Sequence, residues 1–434
     1  MRTFSSTRHV DPISGSHDRH VLIDDPLLPA AAHLTGPDAA DVLRPAVEAS
    51  GGELVSCRTS QVQYRPQSDL VVRYRCVIRR DGSDTSDTLL AATTIGGPHA
   101  GTVPIEAHTS DGTLLTVGVW RWPFDPVLGD LAAMVTPQTA ATELQDVIGD
   151  RLSLEVVAYR PTERAVVRAS GRRGEVYVKL VPPASVEHLA RRHDVLSAAG
   201  LPVPRVVATG RGWVAMEALS GTTLRDRLKG GGPLPPAAAL GDLIARLAEI
   251  DPVALHDVVG GGPTRSRLDD APHHAAMLAT VLPAERQRMT AIVERLTSAT
   301  SPVNRAVATV HGDLHEGQVV VDDDGVIGLL DIDDVGPGDP LDDVAVLIAH
   351  LEFRALTSGD GRIEEYADHV SDTVGADRDA AAVERQVAAV LIGLATGPFR
   401  IQQPDWSATT ARVLDLVEQH LDAAERCSVG VATG

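Results

Sequence analysis

The side chains best suited to chemistry are concentrated in one segment, Val310–Ala345, called here the His-Gly-Asp stretch. It opens with His-Gly-Asp-Leu-His at His311–His315 and carries a second acidic group at Asp331–Asp334. Between these groups, two β-rich runs are joined by a glycine-containing turn, a pattern typical of a β-hairpin. A hairpin brings Asp313, before its first strand, close to Asp331, after its second.

The side chains collected by this hairpin have the chemistry that phosphoryl transfer requires. Asp331 and the amide of Gln318 offer hard oxygen ligands for Mg²⁺, which proteins usually hold through a few groups plus substrate phosphates. Asp313 is then free to orient a substrate hydroxyl and to accept its proton. Positioning and charge neutralisation are the main demands of this reaction. A solvated acidic surface hairpin is the alternative, and it leaves the His-Gly-Asp-x-His frame unexplained.

The His-Gly-Asp stretch resembles the aminoglycoside phosphotransferase and choline kinase-like group of small-molecule kinases. Their pattern is His-Gly-Asp-Leu-His-x-x-Asn, followed about one hairpin later by Ile-Asp-Phe or a similar run. The resemblance implies that Asp313 is the catalytic aspartate, Asp331 a metal ligand and Asp343 a brace for the loop. Gln318 stands where most members have Asn, and the maltokinase-like branch also carries Gln there. His311 is expected to support the loop by hydrogen bonding.

An internal repeat precedes this stretch. The segment Tyr64–Arg73 and the segment Tyr159–Arg168 agree at six positions, at one fixed offset of 95 residues. This agreement favours a duplicated structural unit over two unrelated hairpins. Only the second copy continues into a strand with a lysine, Lys179, which is one of two lysines in the chain. The resemblance puts the phosphate-binding lysine at Lys179, so the first copy is expected to be a degenerate lobe or cap.

The resemblance implies further nucleotide contacts around that strand. In the family, the next helix carries a glutamate that pairs with the strand lysine, and Glu187 is the candidate; a solvated helix carboxylate is the alternative. The segment that contains Glu217 and Leu219 resembles the hinge between two lobes, whose backbone groups hold adenine. No glycine-rich phosphate loop is present, so the turn Arg160–Arg164 is expected to cover the phosphates.

Five residues are candidates for contact with the acceptor molecule: His315, Glu316, Asp333, Arg400 and Trp406. His315 and Glu316 follow the proposed catalytic aspartate, and their alternative is a solvated loop. Asp333 is also a candidate for a further metal contact. Arg400 and Trp406 belong to a loop interrupted by prolines, which equally suits a pocket wall or simple packing.

The whole chain is predicted to have an α+β fold with two kinase-like lobes. The predicted units are a flexible tail (1–25), a β-rich cap that repeats the N-lobe in degenerate form (26–150), a β-rich N-lobe with the hinge (151–219) and a helical C-lobe with the catalytic and metal sites (220–434).

Amino-acid composition indicates which binding partners and which cellular location to expect for this chain. The net charge of −20 argues against nucleic acid and anionic membranes as partners. No apolar run approaches the roughly 20 residues that span a bilayer. Three cysteines, distant from one another, suit a reducing cytoplasm. A cytoplasmic protein without nucleic-acid or membrane partners is therefore expected, and the oligomeric state stays open.

The predicted function is an ATP- and Mg²⁺-dependent kinase that phosphorylates a hydroxyl of a small molecule. The glutamine at Gln318 and the extra N-terminal unit favour a sugar or amino sugar, whereas the acidic run from Asp331 to Asp343 suits a polycationic aminoglycoside. A nucleotide-binding pseudokinase with a regulatory role is the alternative, because the first lobe is degenerate. The joint retention of Lys179 and Asp313 argues against it. A protein kinase is disfavoured because an activation-segment signature is lacking.

Overall fold

Two five-stranded antiparallel sheets precede a mainly helical region in the computed structural model, which describes residues 22–108, 112–259, 265–298 and 307–432. Most of the predicted tail, residues 1–21, lies outside the described residues. The prediction of a tail is wrong for residues 22–25, because Ile23 and Asp25 are buried. The Tyr64 hydroxyl of the first sheet donates a hydrogen bond to Asp25 at 2.9 Å.

The first sheet and its two helices form the N-terminal unit. In chain order, its elements are α1 (Ala31–Thr35), α2 (Ala39–Ala49), β1 (Glu53–Arg65), β2 (Asp69–Arg80), β3 (Ser83–Thr94), β4 (Val103–His108) and β5 (Leu114–Arg121). The strands lie in the order β1-β2-β3-β5-β4. Because side chains alternate along a strand, Val72, Tyr74 and Ile78 of β2 are buried in the same core as Leu43 and Val47 of α2.

The second sheet repeats this arrangement. Its unit contains α3 (Leu131–Met134), α4 (Pro137–Ile148), β6 (Ser153–Arg160), β7 (Arg164–Gly171), β8 (Gly174–Leu180), α5 (Val186–Ala198), β9 (Val206–Thr209) and β10 (Trp213–Glu217). The strand order, β6-β7-β8-β10-β9, matches that of the first sheet position by position. Helices α3 and α4 share the core of the second sheet, so the predicted limit at residue 150 falls inside this unit.

The repeat extends beyond the hairpin from which it was inferred. Asp25 accepts hydrogen bonds from the Tyr64 hydroxyl and from the backbone of Gln67 at 2.7 Å. Asp125 accepts the equivalent bonds from the Tyr159 hydroxyl at 2.8 Å and from the backbone of Thr162 at 2.9 Å. Each aspartate therefore ties the chain before its helices to the turn after the first strand of its sheet.

The register of the two sheets shows where the copies differ. Lys179 pairs with Val166 in the second sheet. Val71, the counterpart of Val166, pairs with Ala92 in the first sheet. Ala92 therefore occupies the position of Lys179, and the first sheet also lacks a helix equivalent to α5.

The remaining chain is mainly helical. Its elements are β11 (Thr222–Thr223), α6 (Leu224–Gly230), α7 (Ala237–Ala248), α8 (Pro252–Val259), α9 (Arg267–Val281), α10 (Arg286–Ser298), β12 (Ala308–Val310), β13 (Val319–Val321), β14 (Val326–Leu329), β15 (Gly336–Gly338), α11 (Pro340–Ser358), α12 (Gly361–Gly375), α13 (Ala380–Ala395), α14 (Gly397–Arg400) and α15 (Trp406–Ala432). Strands β13 and β14 pair antiparallel and form the predicted hairpin. The predicted α+β fold, with a β-rich lobe, a helical lobe and a β-rich cap before them, is confirmed.

One stretch of the described chain, Ala380–Arg400, is long and apolar enough to cross a membrane by length and composition alone. Of its most apolar window, 56% is buried inside the protein. Helix α13, which forms most of the stretch, packs against α9, α11 and α15. Core helices of globular proteins have the same character, so this stretch is weak evidence for a membrane span.

A half-buried histidine joins three of these helices. His420 of α15 lies 2.7 Å from Glu352 of α11 through Nε2 and 2.6 Å from Glu384 of α13 through Nδ1. Burial lowers the pKa of His420, but the hydrogen bonds that its ring donates to the two carboxylates outweigh this effect and raise the pKa to about 9.

The pKa of His420 predicts a pH-dependent stability. Because it lies above the ordinary value near 6.5, the protonated ring stabilises the folded state fully below about pH 6.5, and this stabilisation is lost as the pH rises through 9. His420→Gln should lower the free energy of unfolding by about 2–3 kcal/mol at pH 6 and by little at pH 10. Urea denaturation at both pH values measures this, with exposed His369→Gln as the control. An equal loss of unfolding free energy at both pH values would show that protonation of His420 does not stabilise the fold.

Candidate active site

A cleft of about 1260 Å³ lies between the second sheet and the helical region. Nine of the residues predicted from the sequence line it: Lys179, Glu217, Leu219, Asp313, His315, Glu316, Gln318, Asp331 and Arg400. Residues of the second sheet and residues of the His-Gly-Asp stretch thus face one common space.

The loop that begins the His-Gly-Asp stretch is fixed by a buried carboxylate. Asp343, in the first turn of α11, accepts hydrogen bonds from the backbone of His311 at 2.7 Å and of Gly312 at 2.9 Å. The His311 ring lies 2.9 Å from the carbonyl of Leu330, at the end of β14. Gly312 has a φ of 81°, a conformation that glycine adopts without a steric penalty. The two sides of the hairpin are therefore tied together beside Asp313.

Asp313 faces the cleft next to a cation that does not figure among the residues predicted from the sequence. The Arg267 guanidinium lies 3.0 Å from Asp313, and His315 Nε2 lies 3.9 Å from its other oxygen. Burial raises the pKa of Asp313, but His315 and Arg267 outweigh it and hold the pKa below its ordinary value. Asp313 is therefore a carboxylate at neutral pH, and it is ready to accept a hydrogen bond from a hydroxyl.

Arg267 is itself anchored by a buried acid. Its backbone N–H donates to Asp342 at 3.2 Å, and Asp342 also accepts bonds from Ser266 at 3.3 Å and from Gln386. Burial raises the pKa of Asp342 to about 6, although these donors favour its charged form. Arg267 is far from Asp313 in the sequence and belongs to no motif with it. Apart from the serine that begins α9, no sequence signal marks the position.

A cluster of opposite charges joins the two lobes across the cleft. Lys179 of β8 is buried; its ammonium contacts Asp331 and lies 2.6 Å from Asp333. Arg164 lies 3.0 Å from the second oxygen of Asp331. Burial raises the pKa of Asp331, but Lys179 and Arg164 lower it to about 2, so its carboxylate stays ionised. Arg164 was predicted only as part of the turn that covers the phosphates.

Hard oxygen donors converge around Asp331. The Gln318 side-chain amide donates a hydrogen bond to Asp331 at 3.3 Å through its nitrogen, so the oxygen of the same amide lies close to this carboxylate. The Asp333 carboxylate is held by Lys179, the lysine that contacts Asp331. Asp331 has φ 52° and ψ 52°, a left-handed conformation that is uncommon outside glycine. Two carboxylates and one amide oxygen are a donor set that suits Mg²⁺ rather than a softer metal.

The predicted pairing of Glu187 with Lys179 is wrong. The side chain of Glu187 is 80% exposed and pairs with Arg191 on the same helix, at 2.8 Å. The ammonium of Lys179 is occupied by Asp331 and Asp333 instead. Helix α5 still contacts this cluster, because Arg192 donates a hydrogen bond to the carbonyl of Asp333.

Glu316 is a buried hub that also borders the cleft, and its contact with the acceptor stays a prediction. It is 1% exposed and accepts bonds from Arg225 at 2.9 Å and from Arg354 at 2.6 Å, while His350 lies 3.4 Å away. Burial raises its pKa, but the favourable interactions of the carboxylate with His315, His350 and Arg225 outweigh burial and hold the pKa far below its ordinary range. Glu316 therefore links the loop to α6 and α11.

The other predicted acceptor contacts divide into two groups. The His315 ring borders the cleft, stacks on His350 with centroids 4.5 Å apart and accepts a bond from the backbone of Gly317 at 2.9 Å. Arg400 is exposed on the cleft wall. Trp406 does not line the cleft; it packs edge-on against Phe399 at 5.0 Å, so its predicted role in the pocket is wrong.

The predicted hinge residues border the cleft at the end of β10. Glu217 pairs with Arg205, and its backbone N–H donates to the Arg205 carbonyl at 2.9 Å. The side chain of Leu219 lies against Gly328 of β14, where a Cβ would come within 2.4 Å of it. Because glycine leaves room for Leu219, the segment after β10 passes close to the hairpin.

The sequence of residues 161–383 matches the model of the phosphotransferase enzyme family. This match covers just over half of the chain and includes Lys179 and the entire His-Gly-Asp stretch. The chain belongs to the phosphotransferase enzyme family. The first sheet of this phosphotransferase lies outside the matched residues, which is consistent with its character as an additional unit.

Solved structures of related enzymes resemble the phosphotransferase over part of its length. An aminoglycoside-3'-phosphotransferase of type VIII is 24% identical, with TM-score 0.40, over 57% of this chain and 95% of its own. A choline/ethanolamine kinase family protein from Mesorhizobium loti is 16% identical, with TM-score 0.46, over 66% and 98%. The GDP complex of aminoglycoside 2'-phosphotransferase-IIIa is 16% identical, with TM-score 0.46, over 66% and 99%. No curated protein matches the sequence. The family assignment rests on the sequence match to the family.

Removal of the charge at the Glu316 hub should destabilise the phosphotransferase. Glu316→Gln leaves the Arg225 and Arg354 guanidiniums without their carboxylate and should lower the free energy of unfolding by about 3 kcal/mol. Urea denaturation measures the effect, and Glu187→Gln is the matched control because its carboxylate is exposed. Near-equal stability of the two variants would contradict the role of Glu316 as a hub.

Proposed function

We propose that this member of the phosphotransferase family transfers the terminal phosphoryl group of ATP to a hydroxyl of a small molecule, with Mg²⁺ as cofactor. One observation carries the proposal. Lys179 of the second sheet lines one cleft between the two lobes together with Asp313, Gln318 and Asp331, which lie more than 130 residues later in the sequence.

The nucleotide is proposed to lie beneath the second sheet. The hinge near Glu217 and Leu219 borders the cleft and is proposed to hold adenine through its backbone groups. Lys179 and Arg164 now neutralise Asp331 and Asp333. Nucleotide phosphates are proposed to become partners of both cations, which leaves the carboxylate oxygens available to a metal.

Mg²⁺ is proposed to be held by Asp331 and Gln318, with Asp333 as a further oxygen donor. When bound, it would neutralise charge on the phosphates, which is a large part of what catalysis of this reaction requires. Asp313 is proposed to align the acceptor hydroxyl and to take its proton as the bond to phosphorus forms. Arg267 keeps Asp313 ionised and in place, while Asp343 and His311 keep the loop rigid.

The acceptor is proposed to be a sugar or an amino sugar with few charges. A polycationic aminoglycoside needs several free carboxylates, and the acidic run does not present them to the cleft. Asp331 and Asp333 are paired with cations, and Asp342 and Asp343 are buried beneath the loop. The helical wall of the cleft instead contributes the arginines Arg267, Arg354 and Arg400.

The pseudokinase alternative has no support in the family match or in the site. A cytoplasmic location and the absence of nucleic-acid and membrane partners remain predictions from composition. All three cysteines are free thiols, which agrees with that location.

Release of ADP tests the proposed function. The full chain is mixed with ATP, Mg²⁺ and each of a panel of neutral sugars, amino sugars and aminoglycosides. ADP formation that depends on a sugar or amino sugar is expected. ATP binding without turnover on any acceptor would overturn the proposal in favour of a nucleotide-binding regulator, and turnover on aminoglycosides alone would overturn the acceptor class.

Asp313→Asn tests the proposed base. Turnover should fall by about a hundredfold to ten-thousandfold, because a positioned proton acceptor contributes about that much, while ATP affinity should change less than twofold. Asp324→Asn, an exposed residue in the β13–β14 turn, is the control. Turnover of Asp313→Asn within tenfold of wild type would show that Asp313 is not the base.

Asp331→Asn tests the proposed metal site. Replacement of one carboxylate oxygen by an amide nitrogen should raise the Mg²⁺ concentration for half-maximal turnover by at least about tenfold, because hard cations prefer carboxylate ligands. A Mg²⁺ titration of the rate measures this. An unchanged titration curve would place the metal elsewhere.

A further inference from the structure

Two arginines in the cleft differ from their neighbours. Seven arginines line it: Arg160, Arg164, Arg168, Arg225, Arg267, Arg354 and Arg400. Five of these guanidiniums have carboxylate partners, which are Asp331 for Arg164, Glu155 for Arg168, Glu316 for Arg225 and Arg354, and Asp313 for Arg267. The guanidiniums of Arg160 and Arg400 have no partner among the residues that the structure describes.

The two unpaired guanidiniums enter the cleft from opposite lobes. Arg160 ends β6 and begins the turn that leads to β7, whereas Arg400 ends α14 in the helical region. Desolvation lowers the pKa of Arg400, and the positive charge of Arg160 lowers it further, while Glu163 and Asp313 act in the opposite direction. Arg160 and Asp313 are therefore both within electrostatic reach of Arg400.

We propose that Arg160 and Arg400 form a clamp that binds a phosphate group next to Asp313. Both guanidiniums border the cleft and neither forms an ion pair with a described carboxylate, so their positive charges repel each other, and an anion bound between them removes that repulsion. The planar fork of a guanidinium also matches phosphate oxygens in pairs, so the two residues suit a phosphate better than a single point charge would.

The phosphate comes from one of two sources. The terminal phosphate of the nucleotide must reach Asp313 for transfer, and it is the source that the position of the clamp favours; this assignment rests on the proposed function. The other source is a phosphate carried by the acceptor. If the phosphate belongs to the nucleotide, the clamp offsets the negative charge of the phosphoryl group that is transferred. If it belongs to the acceptor, the clamp selects phosphorylated acceptors.

The first sheet holds both arms of the clamp. Arg65 forms a salt bridge with Glu163, in the turn that begins with Arg160. Strand β1 packs against α14, the helix that ends with Arg400. Both arginines thus stand on segments that are braced from the same side, which distinguishes them from unpaired arginines on a free surface.

Binding measurements on the full chain test the clamp. Calorimetry with Mg²⁺ compares ADP with a non-hydrolysable ATP analogue for wild type, Arg160→Gln, Arg400→Gln and Arg400→Lys, with exposed Arg426→Gln as the control. If the clamp holds the terminal phosphate, both glutamine variants should bind the analogue about tenfold to hundredfold more weakly and ADP within twofold of wild type. The affinity of Arg400→Lys for the analogue should lie between those of wild type and Arg400→Gln, because lysine keeps the positive charge but lacks the planar guanidinium.

The same variants show whether the phosphate belongs to the acceptor instead of the nucleotide, and whether the clamp exists at all. Unchanged nucleotide affinities together with at least a tenfold rise in KM for a phosphorylated sugar would support a clamp for the acceptor. Affinities and KM values all within twofold of wild type would overturn the clamp while wild-type turnover still supports the proposed function. A wild-type chain that binds no nucleotide would overturn both. The melting temperature of each variant is measured as a control, so that weaker binding caused by loss of the fold can be recognised.

Discussion

The ion cluster of Lys179, Arg164, Asp331 and Asp333 is the interaction on which the rest of the structure depends. The cations come from the second sheet and the carboxylates from the end of the hairpin, so the cluster sets how the two lobes face each other. Each buried ion costs several kcal/mol unless it is paired, which makes the two sides of the cleft dependent on each other. A phosphate-and-metal ligand can replace both sets of partners at once and leave no charge unpaired.

Buried acids below the cleft have a different task. Asp343 holds the backbone of the loop, Asp342 holds the segment that carries Arg267, and Glu316 holds the loop against α6 and α11. These acids accept hydrogen bonds from donors of the protein itself. Asp313 can therefore project into the cleft from a rigid support, as a group that positions a hydroxyl must.

The parts of the site that could be predicted from the sequence are those connected by local geometry. The hairpin predicted that Asp313 and Asp331 would lie close together, and both line the cleft; the repeat singled out Lys179. Arg267 could not be predicted, because its contact with Asp313 depends on how α9 packs against α13. Glu187 and Trp406 were misassigned for the same reason. The face of a helix or loop that meets the cleft is decided by tertiary packing, and sequence spacing does not contain it.

Comparison of the two copies of the sheet shows which residues the sheet needs in order to fold and which it does not. The first sheet has the same strand order and the same aspartate–tyrosine brace as the second, yet at the position of Lys179 it carries Ala92. A buried ammonium is thus dispensable for building this sheet. The desolvation of Lys179, and the acidic partners that must accompany it, are requirements that only the second copy has. The first copy meets neither requirement, because the buried side chain at the matching position is the apolar Ala92.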